Sequence, residues 1–186
     1  MVPWGKENVR LIKPDASFAG EIRSYREEML LAGSSMDGTG ALRRIESPME
    51  WLRYNAIMEN PEKVPKNKVP ATQFVLTDTD SGRIYGMLQV RHTLNDYLRR
   101  YAGHIGYSVR PTERRKGYAR KMLKLALVYC RDVLKMDKVM VSCLVENEPS
   151  RRTILSCGGV LDQNELLHGD DRPYRRASGE ISRDGE

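Results

Sequence analysis

A chain of 186 residues is long enough to bury a substantial core and short for two, so one domain spanning 1–186 is expected. Its 40% hydrophobic and 30% charged residues are globular proportions; there is no apolar run fit to cross a membrane and no apolar export segment near Met1, so a cytoplasmic protein with no membrane partner is expected. The net charge of +6 would suit a nucleic-acid binder, but the positive charge gathers between Arg110 and Lys124 while acidic residues occur throughout, which describes a local anion site better than a nucleic-acid surface.

In chain order, Val9–Ile12 reads as a strand. Asp15 to Leu31 follows as an amphipathic helix, with Phe18, Ile22, Tyr25 and Met29 at helical spacing, Asp15 to cap it and Gly33 to end it. Ser47-Pro48-Met49-Glu50 has the form of a capping box and opens a short helix to about Met58, stopped by Pro61. Thr72–Thr77 and Ile84–Arg91 are strands of a hairpin turning at 78–82, and His92 to Gly103 is a loop with a helical turn. Strand residues His104 to Arg110 alternate, with Ile105, Tyr107 and Val109 on one side and His104, Gly106 and Ser108 on the other. A helix from Gly117 to about Lys135, a strand from Lys138 to Val145, a helix from about Pro149 to Cys157 and a strand from Val160 to Leu167 complete the pattern, followed by a turn at 168–171. Strand, helix, strand in the order 104–145 makes a right-handed parallel crossover. Cys130, Cys143 and Cys157 lack zinc-ligand spacing and sit in apolar elements; they read as buried reduced thiols, with a catalytic Cys143 as the alternative, and no metal site is expected.

The segment Val109 to Arg120 carries the most chemistry. Gly117 allows backbone N–H groups to converge on a phosphate, the following helix adds its unpaired N–H groups, and Arg114, Arg115, Lys116 and Arg120 surround the turn with charge. A phosphorylated cofactor follows from that combination. The Gly-Lys-Ser/Thr ending of a nucleotide-triphosphate loop and the triple-glycine spacing of a dinucleotide fold are both missing.

The run Arg114-Arg115-Lys116-Gly117-Tyr118-Ala119 resembles the acetyl-CoA signature of the GNAT family of N-acetyltransferases, with Val109 and Pro111 before it and Asn147, Ser150 and Gly158-Gly159 as a second block. The likeness spans roughly Phe74 to Leu161. It also extends to an uncharacterised bacterial subgroup with His92-x-Leu94-Asn95-x-Tyr97-Leu98 and Gly103-His104-Ile105-Gly106-Tyr107. The resemblance implies an α/β (α+β) fold, a mixed and mostly antiparallel sheet with a central parallel strand pair and helices on both faces. It implies acetyl transfer from acetyl-CoA, as co-substrate, to a primary amine on a small molecule or protein, by direct attack in a ternary complex. Cofactor contacts are then expected from Tyr107, Ser108, Val109, Arg114, Arg115, Lys116, Gly117, Tyr118, Ala119, Arg120, Asn147 and Ser150. Asn147 and Ser150 also read as a cap for the next helix, and both readings stand.

In register with the family, the usual acid, a tyrosine, falls on Ile154 and a common glutamate position falls on Ser142. His104 and His92 are therefore the candidate bases, with Glu146 as a further candidate and Tyr107 or Tyr174 as proton donors; against this, either histidine could simply bond a loop carbonyl. The missing acid keeps a second reading open, a catalytically weak or inactive CoA-binding or sensing module of the same fold. The polar, charged tail from about Arg175 departs from the aromatic strand of related sequences; it is expected to be irregular or to lie at the contact of a homodimer.

Overall fold

The computed structural model describes residues 8–161, 167–169 and 172–180. The first strand is β1 (Val9–Ile12). A 3-10 turn over Ala16–Phe18, capped by Asp15 through the Ser17 N–H, leads into α1 (Ala19–Leu31). Ser47 accepts from the Glu50 N–H at the start of α2 (Pro48–Glu59), as its capping box requires. The hairpin is β2 (Ala71–Asp78) with β3 (Ile84–Arg91), and a π-helical turn over Leu98–Ala102 precedes β4 (Ile105–Val109). Then come α3 (Tyr118–Asp132), β5 (Lys138–Leu144), α4 (Glu148–Ser156), β6 (Val160–Leu161), β7 (Leu167–Gly169) and β8 (Arg172–Glu180).

Among the described residues the strands form one sheet in the order β1-β2-β3-β4-β5-β8-β6, with β7 also paired to β8. All pairings are antiparallel except β4 with β5, the central parallel pair expected from the crossover. The fold is the mixed α/β sheet with helices on both faces.

On one face α3 buries Met122, Leu123, Ala126 and Cys130, and α4 buries Ile154, against Phe74, Leu76, Leu88, Val90, Ile105 and Val141. On the other face α1 and α2 bury Ile22, Tyr25, Met29 and Trp51 against Val75, Ile84 and Met87. Cys130 is buried, and Cys143 and Cys157 are half-buried, all three as free thiols.

Three expectations change. The tail is not irregular at Arg175–Glu180: β8 runs from Arg172 to Glu180 and pairs with the whole of β5, from Lys138 opposite Glu180 to Leu144 opposite Tyr174. Its polar composition hid it because main-chain hydrogen bonding makes the strand, with Ala177 buried in the core. The strand expected over Val160–Leu167 keeps only Val160–Leu161 and, in a separate strand, Leu167; 162–166 lie outside the described residues. Of the turn expected at 168–171, His168 and Gly169 belong to β7 and the rest lies outside them.

Candidate active site

Strands β4 and β5 meet at one point and then part. Ile105 pairs with Val141, and Gly103 bridges to Val141, but no pairing joins Gly106–Val109 to Ser142–Leu144. Each strand keeps its outer neighbour: β4 stays on β3 from Ile105 to Val109, and β5 stays on β8 through Leu144. The Arg110 N–H donates to Tyr85 and the His104 carbonyl accepts from Arg91, so these even-numbered residues turn their backbone to β3. By the alternation of a strand, Tyr107 and Val109 turn theirs into the opening. The result is a wedge whose β4 wall carries main-chain donors and acceptors.

At the mouth of the wedge, a 3-10 turn over Pro111–Glu113 and two residues of positive φ, Arg115 (63°) and Gly117 (84°), bring the chain into α3. No side chain caps that helix. Its first N–H groups therefore face outward with the positive end of the helix dipole. A β-carbon on Gly117 would touch nothing within 4 Å, so glycine is required there by conformation and the space beside the helix start is open. These features fit a pyrophosphate.

Three cations of the loop, Arg114, Arg115 and Lys116, differ in their commitments. Lys116 is held by Glu113 at 2.8 Å, and Arg114 donates to Ser34 Oγ (2.8 Å) and to the Val109 carbonyl (3.2 Å). Arg115 is exposed and forms no hydrogen bond or ion pair among the described residues. Arg110, counted in the basic patch from sequence, is not part of it: it is fully buried between Glu21 (3.1 Å) and Glu28 (3.2 Å) of α1 and lies over the Tyr25 ring.

The other expected residues separate into groups. Tyr107 crosses from β4 to α4, its hydroxyl 2.7 Å from Ser150 Oγ, and burial raises its pKa so that it stays a protonated donor. Asn147 caps α4 by accepting from the Ser150 N–H at 3.1 Å, and Ala119 lies in the first turn of α3. Ser108 turns to the opposite face, bonded to Tyr25 at 3.0 Å. Tyr118 buries its ring against Tyr85, leaving only its backbone at the loop. Ile154 sits in the core, and Ser142 bonds the Tyr101 carbonyl.

Of the candidate bases, only His104 stands at the wedge, at its closed end. Its Nδ1 accepts from the Met140 N–H at 3.0 Å, which puts the proton of the neutral ring on Nε2. Burial, then the Arg91 and Arg99 charges, push its pKa down. A base needs a free lone pair, and this one is engaged in joining β4 to β5. His92 lies toward β2, its Nε2 2.8 Å from Thr72 Oγ1, which also meets Glu59 and Tyr129. Glu146 is exposed in the turn after β5.

Sequence reasoning did not find the wall on the far side of β4. The segment between α1 and α2 crosses the sheet with Gly38 against Gly106, so close that a β-carbon on Gly38 would lie 2.1 Å from the Gly106 carbonyl oxygen. The Gly38 carbonyl is held by Gln73 (2.8 Å) and the Thr39 carbonyl by Trp51 (2.8 Å). Beside this crossing lies a cavity of about 190 Å³, lined by Gly40 and Arg44, by Tyr54 and Met58 of α2, by Asn67, Lys68 and Val69, by Ala71, Gln89 and Arg91 of the sheet, and by Asn95, Tyr97 and Leu98. Arg91 reaches from the cavity to β4: one guanidinium nitrogen lies 3.4 Å from where a β-carbon on Gly106 would be, and the other donates to the carbonyls of Ala102 and Gly103.

A sheet opened between parallel strands, with an uncapped helix start at the mouth, is an arrangement suited to an extended phosphorylated ligand. Residues 39–160 match the acetyltransferase (GNAT) domain, and the chain belongs to that family. The fold is similar to that of ribosomal-protein-S5-alanine acetyltransferase from Vibrio fischeri, with 19% identity, TM-score 0.69 and 96% of each chain covered. It is also similar to spermidine N-acetyltransferase from Vibrio cholerae, solved with CoA and spermine, with 18% identity, TM-score 0.64 and 95% of this chain and 97% of that one covered. A ribosomal L7/L12 α-N-protein acetyltransferase in complex with coenzyme A shows 16% identity and TM-score 0.67, with 96% and 97% covered. At such identities the likeness is one of fold. No curated protein sequence matches the chain.

Proposed function

We propose that the protein transfers an acetyl group from acetyl-CoA to a primary amine by direct attack in a ternary complex. The observation that carries this reading is the parting of β4 from β5 directly beside the uncapped start of α3. Acetyl-CoA supplies an activated acyl group on a sulfur that leaves readily, a thiol having a pKa of about 8.5. Backbone groups of Gly117, Tyr118, Ala119 and Arg120, with Arg115 and Lys116, are suited to its phosphates. The Val109 N–H, facing the wedge, is suited to polarise a carbonyl there.

The neutral amine nitrogen forms a bond to the acyl carbon, the carbon–sulfur bond breaks with its electron pair going to sulfur, and the nitrogen loses one proton to solvent water while the sulfur gains one from Tyr107, whose phenol is then reprotonated from solvent. Tyr107 serves as the proton donor to the sulfur. It is held by Ser150 beside the wedge, a protonated phenol arriving from β4 where the family's tyrosine would arrive from α4. This residue answers the gap left by Ile154.

Calorimetry with acetyl-CoA tests the cofactor site. Gly117→Glu places a charged side chain at a positive-φ position and is expected to weaken binding at least about tenfold in a folded protein. Unchanged affinity would remove the assignment. Arg115→Ala is expected to weaken binding more at low salt than at high salt, since exposed charges are screened over about 8–10 Å at ordinary ionic strength. Tyr107→Phe is expected to lower kcat about 10²-fold with acetyl-CoA affinity kept; a full kcat would return Tyr107 to a structural role.

A further inference from the structure

The cavity beside Gly38 has an electrostatic character that the cofactor chemistry does not call for. Three cations line it, Arg44, Lys68 and Arg91, and no carboxylate does. Among the described residues none of the three forms a salt bridge. Lys68 donates to the Tyr54 hydroxyl and Arg91 to two carbonyls, so their charges are hydrogen-bonded but not neutralised; Asp37 is near enough to Arg91 to favour its charge. Asn67, Gln89 and Asn95 add neutral donors and acceptors.

A second observation concerns the floor beneath Gly40. Gln73 and Asn55 are both more than nine-tenths buried, and Gln73 Oε1 and Asn55 Oδ1 have no hydrogen-bond partner. Gln73 Nε2 lies within hydrogen-bond distance of the carbonyls of Gly38, Phe74 and Leu88, which share its two hydrogens; this assigns its amide orientation and leaves the oxygen as the unused end. The two oxygens lie 3.4 Å and 3.1 Å from the position of a β-carbon on Gly40, a residue that lines the cavity on the side of the Gly38–Gly106 crossing. Both oxygens are closed to solvent and neither residue lines the cavity, so they belong to the packing beneath its floor and do not contact an occupant. Cations without carboxylates are stabilised by a ligand that brings an anion.

We infer that this cavity receives the acceptor, and that the acceptor is a small amine carrying a carboxylate, its carboxylate met by Arg44 and Lys68. The inference rests on the acetyltransferase reading above and names the substrate class for it. A polyamine is disfavoured because it would bring further positive charge against three cations.

The test compares straight-chain amino acids of two to six carbons, and α-amino acids, with the diamines and amino-acid amides of matching length. Initial rates of CoA release and calorimetric binding to the CoA-loaded protein are both measured. At least one amino acid is expected to exceed its matched amide and diamine by about tenfold or more in kcat/KM and in affinity. Arg44→Glu and Lys68→Glu, both at exposed side chains, are each expected to reduce that preference about tenfold with acetyl-CoA affinity and melting temperature unchanged. Equal or better use of the diamines, or a preference untouched by both substitutions, overturns the inference while leaving acetyl transfer in place. Absence of acetyl-CoA binding overturns the proposed function and this inference with it. Acetyl-CoA binding with no amino acid bound or turned over overturns the inference alone.

Discussion

The two faces of the sheet are held by different forces. Under α3 and α4 the contact is apolar almost throughout, with Met122, Leu123, Ala126, Cys130 and Ile154 on the strands. Under α1 and α2 a smaller apolar core is crossed by directional bonds: Arg110 to Glu21 and Glu28, Tyr25 to Ser108, Trp51 to the Thr39 carbonyl, and Gln73 to the Gly38 carbonyl. Burial of apolar area fixes a helix against a sheet but is tolerant of small slips, whereas a hydrogen bond in a dry interior is intolerant of them. The face that carries the loop before α3 can rely on packing, because the groups proposed to bind there are main-chain ones. The face that carries the crossing segment and the cavity must hold side chains in place, and its polar ties do so.

Breaking one tie on the polar face should therefore cost more than breaking a contact on the apolar one. Arg110→Ala removes a fully buried cation from two carboxylates and is expected to destabilise the fold by roughly 3–5 kcal/mol in denaturant titration. Arg110→Met fills the space without the charge; if it matches the native protein, the polar face is held by packing after all and the contrast fails. Met122→Ala on the apolar face is expected to cost about 2–3 kcal/mol, in the lower part of the range for a buried methionine, because the neighbours close in part over the gap. A larger loss than for Arg110→Ala would reverse the comparison.

The smallest effect is expected at His104, which lies between the two regimes. Burial lowers its folded pKa, so the unfolded chain binds the proton more readily, and stability is fully present above the ordinary histidine value near 6.5 and falls as pH drops through the lower folded value. His104→Asn keeps an acceptor for the Met140 N–H and removes the titration. Its stability should lose part of the decline below about pH 6.5, and its turnover should persist if the engaged Nδ1 is a structural acceptor. Loss of turnover with stability kept would restore His104 as the base.

What the sequence disclosed followed how local the physics was. The turn and helix start over Val109 to Arg120 lie in twelve consecutive residues with a positive-φ glycine, and α1 and α2 announced themselves through apolar spacing and caps. The parallel pair followed from the order of strand, helix and strand. Arg110 was hidden because its acidic partners lie some eighty to ninety residues away on α1, and a cation in a basic run carries no sign of burial. β8 was hidden because main-chain pairing to β5 asks nothing of its side-chain pattern. The cavity draws its wall from five separated stretches of chain, so no window of sequence contains it. His104 was legible as a residue, but which of its nitrogens is occupied depends on Met140.

The pairing of β5 also sets an order of assembly. Beyond Val141 this strand has turned away from β4, and its interstrand pairing through Leu144 is with β8, which ends at Glu180. A ribosome delivers the chain from its N-terminus, so the cofactor loop and one wall of the wedge emerge before the strand that steadies the other wall. Until those last residues arrive, β5 presents both main-chain edges over Ser142–Leu144, the kind of edge that recruits other chains. Nascent or prematurely terminated copies are accordingly exposed to aggregation at the very place where the finished sheet stands open.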